Sequence, residues 1–320
     1  MSLSTNLLDG LSSENKIFVA FSGGIDSTAL LFLCNKALKQ KKIGNLKAIH
    51  INHNLSKNSD YWQQHCESFC KSNNIKFESF IVKVSKNRSS IESQARQARY
   101  KIFESLLDKN DQILLAHHRD DVFETILLRL FRGTGVDGLS GLTERRSLGK
   151  GEIVRPFLNL SKSDLKIFID ENDIPYIEDD TNSNNNFDRN FLRNEIVPSL
   201  EKRWSKLSER AVITSATAKK KKLSLDYMLE KNFKKEISTG IIERANFIEI
   251  PSFVIEELIR LILRKKGIAL PSKKVLSEIM NVFFHKKPSN ESYVEWSRKD
   301  GEQIGGKVFS EHSDIIFQKK

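Results

Sequence analysis

The stretch that decides the fold of this 320-residue chain runs from Lys16 to Cys34 and reads KIFVAFSGGIDSTALLFLC. Ile17–Phe21 is a short apolar run with β-branched and aromatic side chains, which is typical of a buried strand. From Thr28 onward the apolar residues recur at helical spacing. The segment Ser-Gly-Gly-Ile-Asp-Ser between them therefore predicts a tight loop that leads a buried strand directly into the N-terminus of a helix.

The same alternation of short apolar runs and amphipathic stretches continues to about residue 160. It predicts βαβ units and an α/β fold with a doubly wound, mainly parallel sheet. In such sheets ligands bind beyond the carboxyl ends of the strands, so the strand-to-helix loops should face one crevice. The predicted strands are Ile17–Phe21, Lys47–Ile51, Phe77–Val82 and Gln112–Ala116, and the predicted helices are Thr28–Lys39, Asp60–Asn73, Ser90–Leu107 and Asp121–Phe131.

After Pro198 the alternation of strand and helix patterns ends, and the sequence becomes long, lysine-rich and helical in pattern. We expect a first domain over residues 1–200, a helical linker over 201–225, and a smaller helical or α+β domain over 226–320. In this last part the periodicity predicts two helices and three short strands, namely Phe253–Leu263, Ser272–Phe284, Tyr293–Trp296, Lys307–Phe309 and Asp314–Phe317.

The composition argues against a membrane-spanning protein and against a secreted protein rich in disulfides. No apolar run approaches the roughly 18 residues of a membrane span, and the first twenty residues lack a signal-peptide pattern. The three cysteines, Cys34, Cys66 and Cys70, are too few for a disulfide framework. Cys66 and Cys70 are favoured as core residues over metal ligands with His65. We expect a soluble, cytoplasmic protein without a membrane partner, and the sequence leaves a homodimer open.

The chain is basic, with 52 Lys and Arg against 41 Asp and Glu and a net charge of +11. Such a surface attracts polyanions, since cationic side chains release the counterions of a nucleic acid. A lysine-rich surface that only maintains solubility explains the charge equally well. Charge alone therefore makes nucleic acid the first partner to consider without deciding for it.

The predicted loop has the chemistry of a phosphate site. Backbone amides at a helix N-terminus bind phosphate, and glycines at positions 23 and 24 allow a close approach. A carboxylate at Asp26 would repel phosphate unless a cation lies between them, which implies Mg²⁺. The Gly-Lys-Ser/Thr ending of a Walker-type loop is absent from this segment. The alternative is a glycine turn in which Asp26 caps the helix.

A second candidate segment, His117 to Thr125, follows the predicted strand Gln112–Ala116. Asp121 and Glu124 are three residues apart and share one helical face, so together they suit a cation, either Mg²⁺ or a lysine ammonium. One alternative is a dinuclear metal site that also uses His117 and His118. The other is that the acids of the first turn only complement the helix dipole.

Two further segments carry glycines or arginines. Residues 132–141 are rich in glycine, which predicts an irregular loop that approaches a ligand closely. Arg189 and Arg193 lie four residues apart on one helical face. Arginine forks bind phosphate well, although a solvated or carboxylate-paired face explains the spacing too.

The loop over residues 22–27 resembles that of the N-type ATP-pyrophosphatases, which split ATP between its α and β phosphates and transfer AMP to an oxygen. Within this superfamily the order of motifs resembles the tRNA(Ile)-lysidine synthetases over residues 16 to about 200. The matching segments are the loop, Ala95-Arg96 with Arg99-Tyr100, His117 to Thr125, Arg132-Gly133-Thr134-Gly135 with Gly138 to Gly141, Arg155-Pro156, Glu178 to Asn182, and Arg189 to Arg193.

The resemblance implies an ATP-dependent ligase that adenylates the carbon-2 oxygen of the wobble cytidine in tRNA(Ile) with the anticodon CAU. Free L-lysine would then displace AMP. It implies Mg²⁺ on Asp26 and Asp121, catalytic roles for Asp26, Asp121, Glu124, Arg189 and Arg193, and lysine binding by Asp121, Glu124 and Arg96. The ATP-binding residues would be Ser22, Gly23, Gly24, Ile25, Asp26 and Ser27. The rivals are a tRNA thiolase of the same superfamily, which normally needs reactive or cluster-binding cysteines, and an inert tRNA-binding protein.

Overall fold

The computed structural model describes residues 3–11, 13–54, 56–82, 91–178, 183–289, 291–297 and 304–320. It divides into two compact units, one of residues 1–86 and 94–220 and the other of residues 87–93 and 221–320. Residues 179–182, within the predicted motif Glu178 to Asn182, and the predicted helix start at Ser90 lie outside the described part. No described helix has both the length and the apolar character that a membrane span requires.

The first unit is built on a six-stranded sheet with the order β3-β2-β1-β4-β6-β5. The first five strands in this order are parallel, and β5 pairs antiparallel with β6 at the edge. The strands are β1 Lys16–Ala20, β2 Asn45–Asn52, β3 Lys76–Ile81, β4 Gln112–Leu114, β5 Arg145–Leu148 and β6 Gly151–Val154.

Helices connect and cover these strands. The N-terminal part carries α1 Ile25–Lys39, α2 Ser59–Ser72, α3 Ile91–Leu106, α4 Arg119–Phe131, α5 Val136–Leu139 and α6 Lys162–Glu171. After them come α7 Asp188–Phe191, the π-helical turn Leu192–Ile196, α8 Val197–Arg203 and the long α9 Leu207–Asn232. A 3-10 turn, Thr5–Leu8, precedes the sheet.

The two faces of the sheet bury separate apolar layers. Ile17 and Val19 of β1 point into the layer that contains α1, α2 and α6, whereas Phe18 packs on the other side with Phe103 of α3 and Ile113 of β4. Alternate residues of one strand thus enter opposite layers, as the pleat requires. The predicted α/β, doubly wound, mainly parallel fold is confirmed.

The strand order places two loops side by side. Going from β1, the chain builds outward through β2 and β3 on one side and through β4 and β6 on the other. The order therefore reverses between β1 and β4, which is the position where open α/β sheets bind their ligands. The predicted phosphate loop follows β1 and the segment with Asp121 and Glu124 follows β4, so both open into the same crevice.

The second unit contains a four-stranded antiparallel sheet with the order β7-β10-β9-β8. Its strands are β7 Ile241–Glu243, β8 Tyr293–Trp296, β9 Gly306–Glu311 and β10 Asp314–Lys319. The helices are α10 Lys234–Thr239, α11 Ser252–Lys265 and α12 Lys273–Ile279, with a 3-10 turn Arg244–Phe247 and a π-helical turn Met280–His285. One apolar core joins helices and sheet, and this smaller α+β part was predicted.

Several elements were not predicted, among them α6, α10 and the short ones that follow. The β5–β6 hairpin and β7 have only three or four residues each, too few to show a period, and β5 is largely exposed and polar. The glycine-rich residues 132–141, predicted as an irregular loop, contain the one-turn helix α5. Arg129 stabilises this turn, because its Nη1 donates to the carbonyl oxygens of Gly138 and Gly141, both at 2.9 Å.

Candidate active site

The loop after β1 is held in shape by its own side chains. Gly23 has φ +83°, a left-handed conformation that favours glycine, whereas Gly24 has φ −72° and caps α1 in an ordinary extended conformation. The Ser22 amide donates to Ser27 Oγ at 3.2 Å, and Ser27 Oγ donates to the Gly24 carbonyl at 3.0 Å. The loop is thus closed before any ligand arrives, and the free N-terminus of α1 faces the crevice.

Neighbouring segments fill the space around Gly23. A Cβ atom there would lie 3.0 Å from Cys66 Sγ and 3.2 Å from Ile177 Cδ1, and the Ile177 amide donates to the Gly23 carbonyl at 2.9 Å.

All three cysteines are buried, as expected of core residues. Burial raises the pKa of the Cys34 and Cys66 thiols far above the ordinary range and that of Cys70 to about 12, so these thiols stay protonated.

Four predicted residues form one ion-pair network, which we call the acidic site together with Asp26 and His118. Arg189 donates from Nε to Glu124 Oε2 at 2.7 Å and from Nη2 to Asp121 Oδ1 at 2.8 Å. Arg193 donates from Nε to Glu124 Oε1 at 2.6 Å and from Nη2 to Asp121 Oδ1 at 3.2 Å. Of the two alternatives for the arginines, the structure shows the carboxylate-paired face.

The side chains of this ion-pair network are largely buried, which affects their pKa values. The side chains of Asp121 and Glu124 are 11% and 3% exposed, and those of the two arginines are about a quarter exposed. Burial alone would raise the pKa of Asp121, but the charges of His118 and Arg189 hold it below its ordinary value. The pKa of Arg193 is raised in spite of its burial, because Glu124 binds it. The pKa shifts of Asp121 and Arg193 favour their charged forms, and the ion pairs fix all four side chains in position.

His118 connects this network to the loop after β1. Its Nε2 lies 3.7 Å from Asp26 Oδ2 and 3.5 Å from Asp121 Oδ2, and its backbone amide donates to Asp121 Oδ2 at 2.9 Å. Burial lowers its pKa, but Asp26 and Asp121 more than offset this, so the pKa of His118 is raised. The first turns of α1 and α4 thus bring two carboxylates to one point.

The donor set suits Mg²⁺. Asp26 Oδ1 is buried and has no hydrogen-bond partner among the described residues, so an acceptor is left over beside the phosphate loop. Mg²⁺ usually takes one or two carboxylates and completes its shell with phosphate oxygens and water, which matches Asp26 and Asp121. A dinuclear site is not supported, because the described residues contain no group of three or more metal ligands.

His117 has a different partner. Its Nδ1 accepts a hydrogen bond from Arg155 Nε at 3.3 Å. This nitrogen is therefore already occupied and does not serve as the metal ligand that the dinuclear alternative required. Desolvation, together with the charges of Arg155 and Arg99, lowers the pKa of His117 to about 3. The ring is therefore neutral, and Nε2 carries its proton.

Asp120 has a structural contact, since its Oδ2 accepts the Lys162 amide at the start of α6 at 2.8 Å. Arg96, predicted to bind lysine, contacts Tyr100, with its Nη2 3.4 Å from the phenol oxygen. Arg146 and Arg155 also lie near Tyr100, and no role was predicted for them. Arg155 was noted within Arg155-Pro156, but nothing in the sequence relates it or Arg146 to a tyrosine more than forty residues away.

Comparisons with known proteins identify the family of this chain. Residues 2–200 match the family model of the PP-loop domain. A tRNA(Ile)-lysidine synthase from Coxiella burnetii is 36% identical over 272 residues, which cover 85% of this chain and 60% of that protein. One from Legionella pneumophila is 33% identical over 317 residues, which cover 98% of this chain and 71% of that protein. This chain belongs to the tRNA(Ile)-lysidine synthase family.

The predicted membership of this enzyme family is confirmed, and the chain spans 60% and 71% of the length of these two relatives. Among solved structures, a U34-tRNA thiolase from Methanococcus maripaludis matches with a TM-score of 0.53 and 18% identity, covering 65% of this chain and 73% of that one. At this identity the likeness shows a common fold alone.

Proposed function

We propose that the chain ligates L-lysine to carbon 2 of the wobble cytidine of tRNA(Ile) with the anticodon CAU, consuming ATP through an adenylated tRNA. The observation that carries this proposal is the acidic site: Asp26 from α1 and Asp121 with Glu124 from α4 converge beside a closed phosphate loop. A family member with this constellation can bind ATP, a cation and an amine in one crevice. We infer that it works in the cytoplasm, where tRNA is found.

The ATP step would use the loop over residues 22–27. The amides at the N-terminus of α1 would bind phosphate, and Asp26 with Asp121 would hold Mg²⁺. When bound, that ion would neutralise charge on the phosphate oxygens. The chain's own contribution is then to place the nucleotide beside the cytidine oxygen, and positioning with electrostatic stabilisation supplies most of the acceleration in such reactions.

The lysine step would use the other end of the acidic site. Glu124 binds Arg189 and Arg193 with both oxygens, so an incoming ε-ammonium would have to share these oxygens or replace a guanidinium. Either arginine, once released, can turn to phosphate oxygens or to the lysine carboxylate. The pairing would therefore hold the two carboxylates in position until lysine arrives.

The second unit supplies a surface suited to tRNA. A groove of about 720 Å³ is lined by four lysines and one exposed tyrosine, together with Glu230, Ile237 and Ser238; the basic and aromatic members are Lys231, Lys234, Lys265, Lys266 and Tyr227. Lysines bind backbone phosphate and aromatic rings stack on bases.

Lys231→Gln with Lys234→Gln should weaken tRNA binding, whereas Lys286→Gln with Lys287→Gln, the same charge change elsewhere in this unit, should not. Equal affinities of the two double variants would refute this role.

The proposed reaction is tested with purified protein, ATP, labelled L-lysine and three tRNAs. We expect incorporation into tRNA(Ile) with the anticodon CAU, none into its UAU counterpart, and little into methionine tRNA. A pocket that hydrogen-bonds the 4-amino group of cytidine rejects uridine by roughly 10⁴-fold or more, because buried polar groups would be left unpaired. Labelling of the UAU species, or a product that contains sulfur, would refute the proposal.

The buried, protonated cysteines speak against the thiolase alternative, because thiolates are the reactive form. The ion-paired, charged carboxylates beside the loop speak against an inert binding protein. An exchange assay between ATP and pyrophosphate in the presence of tRNA tests the inert alternative, since an inert protein catalyses no exchange.

A further inference from the structure

Four arginines of the first unit converge on a single tyrosine. The guanidinium carbons of Arg96, Arg99 and Arg146 lie 5.0, 5.9 and 5.2 Å from the centroid of the Tyr100 ring. Arg155, directly after β6, is the fourth, since its charge lowers the pKa of Tyr100. We call these five residues the arginine cluster; they come from α3, β5 and the end of β6.

The cluster concentrates positive charge. Burial would raise the pKa of Tyr100, but Arg96, Arg99, Arg155 and Arg146 together bring it below its ordinary value. Burial lowers the pKa of Arg155, and Arg146 and Arg96 lower it further, although Tyr100 acts in the opposite direction. The like charges of these arginines repel each other, and an anion among them would relieve the repulsion.

Burial decreases across the cluster from one end to the other. Arg155 is 3% exposed and is fixed by donating from Nη1 to the Thr143 carbonyl at 2.7 Å and from Nε to His117 Nδ1 at 3.3 Å. Tyr100 is partly buried and Arg146 is exposed. A rigid inner end and an open outer end allow a ligand to enter from solvent.

The chemistry of the cluster favours phosphate over a base. Guanidinium forks match the oxygens of phosphate, and three guanidinium groups already lie within 6 Å of the Tyr100 ring centroid, which leaves this ring poorly placed to stack on a base. His53, after β2, adds a neutral ring: desolvation and Arg99 lower its pKa to about 4, and its buried Nδ1 has no hydrogen-bond partner among the described residues.

The position of the cluster points to the ligand that carries this phosphate. His117, which accepts from Arg155, opens the segment that bears Asp121 and Glu124, so one side chain separates the cluster from the acidic site. The phosphates of ATP already have the loop after β1. We propose that the arginine cluster binds a backbone phosphate of the tRNA anticodon loop next to the nucleotide that is modified. This inference rests on the proposed function and assigns part of its tRNA site.

Adjacent arginines of β5 supply a matched test. Arg146→Gln removes the exposed member of the cluster, whereas Arg145→Gln removes the same charge from a residue bound to Glu152 Oε1 at 2.5 Å and to the Gly10 carbonyl at 2.8 Å. We would measure the dissociation constant of unmodified tRNA between 50 and 200 mM salt, and that of a non-hydrolysable ATP analogue with magnesium.

One phosphate contact fewer should make the log–log salt slope of tRNA binding shallower by about 0.7 to 0.9. The affinity ratio between the unaltered protein and Arg146→Gln should therefore shrink by roughly threefold over this salt range. Arg145→Gln should keep the original slope, and both variants should bind the ATP analogue normally. Equal slopes for the two variants would refute the proposal. So would loss of ATP-analogue affinity in Arg146→Gln with unchanged tRNA binding, since the cluster would then serve the nucleotide.

This measurement is an equilibrium one and needs no lysine. A protein whose tRNA binding responds as expected but which incorporates no lysine would overturn the proposed function and leave the phosphate site in place. Normal lysine incorporation with no response of the salt slope to Arg146→Gln would do the reverse.

Discussion

The first unit uses arginine in two opposite ways. In the acidic site, Arg189 and Arg193 each bind two carboxylates, so positive and negative charge nearly balance. In the arginine cluster, three guanidinium groups lie around the ring of Tyr100, and against the effect of burial their positive charges lower the pKa of its phenol. The residue type is the same, and the partner decides whether it neutralises a buried charge or attracts an anion.

The acidic site and the arginine cluster also differ in the free energy that a substitution is expected to cost. Removing one partner of a buried ion pair costs about 3–5 kcal/mol, because the remaining charge is left without compensation. Contacts between a cation and an aromatic ring contribute about 0.5–1 kcal/mol at exposed positions. The acidic site should therefore be sensitive to single substitutions in both stability and chemistry, while the arginine cluster should respond mainly in ligand binding.

The largest effect should come from Asp26→Asn, which removes charge from the acidic site without changing shape. We expect tRNA-dependent release of pyrophosphate to fall by about 10²-fold or more, the range seen when one electrostatic contact to a transition state is lost. Asp170→Asn is the control, because this acid pairs with Lys166 on the exposed face of α6 and makes the same change of charge. Near-normal release by folded Asp26→Asn protein would remove Asp26 from the ATP step.

Glu124→Gln tests whether the balanced charge serves lysine. The amide keeps the shape of the side chain but leaves Arg189 and Arg193 with a weaker acceptor, and an ammonium loses its counter-charge. We expect the KM for lysine to rise by about 10- to 100-fold, equivalent to 1.4–2.8 kcal/mol, with adenylated tRNA accumulating. Nucleoside analysis and lysine titration measure this. If adenylation fails and the lysine requirement stays the same, Glu124 belongs to the ATP step.

The ring of Tyr100 separates the arginine cluster from the acidic site experimentally. Tyr100→Leu removes the surface on which three guanidinium groups lie, and we expect tRNA affinity to fall by about 3- to 10-fold from the loss of one or two cation–π contacts. Tyr100→Phe keeps the ring and should lose less. Comparable losses for both variants would show that the hydroxyl, not the ring, arranges the arginines.

The last expected effect is on stability and not on activity, and it concerns His117, which lies between the two sites. Its pKa is about 3 in the folded chain against an ordinary value of about 6.5, so between these values the unfolded chain binds the extra proton. Its contribution to stability is therefore complete above pH 6.5 and is lost as pH falls toward 3, by at most about 1.4 kcal/mol per pH unit. His117→Asn should lessen this loss.

Urea unfolding at pH 6 and pH 5 measures the difference. His118 has a raised pKa and the opposite pH dependence, but it is present in both proteins and its contribution should cancel. An unchanged slope of unfolding free energy against pH in His117→Asn would mean that this ring is not held neutral by its surroundings.

The sequence by itself determined the strand, loop and helix over residues 16–34, because apolar periodicity and glycine chemistry are local properties. It also determined that Asp121 and Glu124 share a helical face, since three residues nearly complete one turn. The predicted strands Ile17–Phe21 and Gln112–Ala116 correspond to β1 and β4, and their adjacency in the sheet brings Asp26 close to Asp121.

Only the tertiary structure decided the partners of the arginines. Arg189 and Arg193 could have faced solvent, phosphate or carboxylates, and it is the position of α7 and the π-helical turn after it against α4 that pairs them with Asp121 and Glu124. Arg146 and Tyr100 are more than forty residues apart, and they meet because β5 folds back on β6 at the edge of the sheet. Charge acts through space with no sequence period, so a pattern along the chain identifies which residues can be charged, while the fold decides what each charge faces.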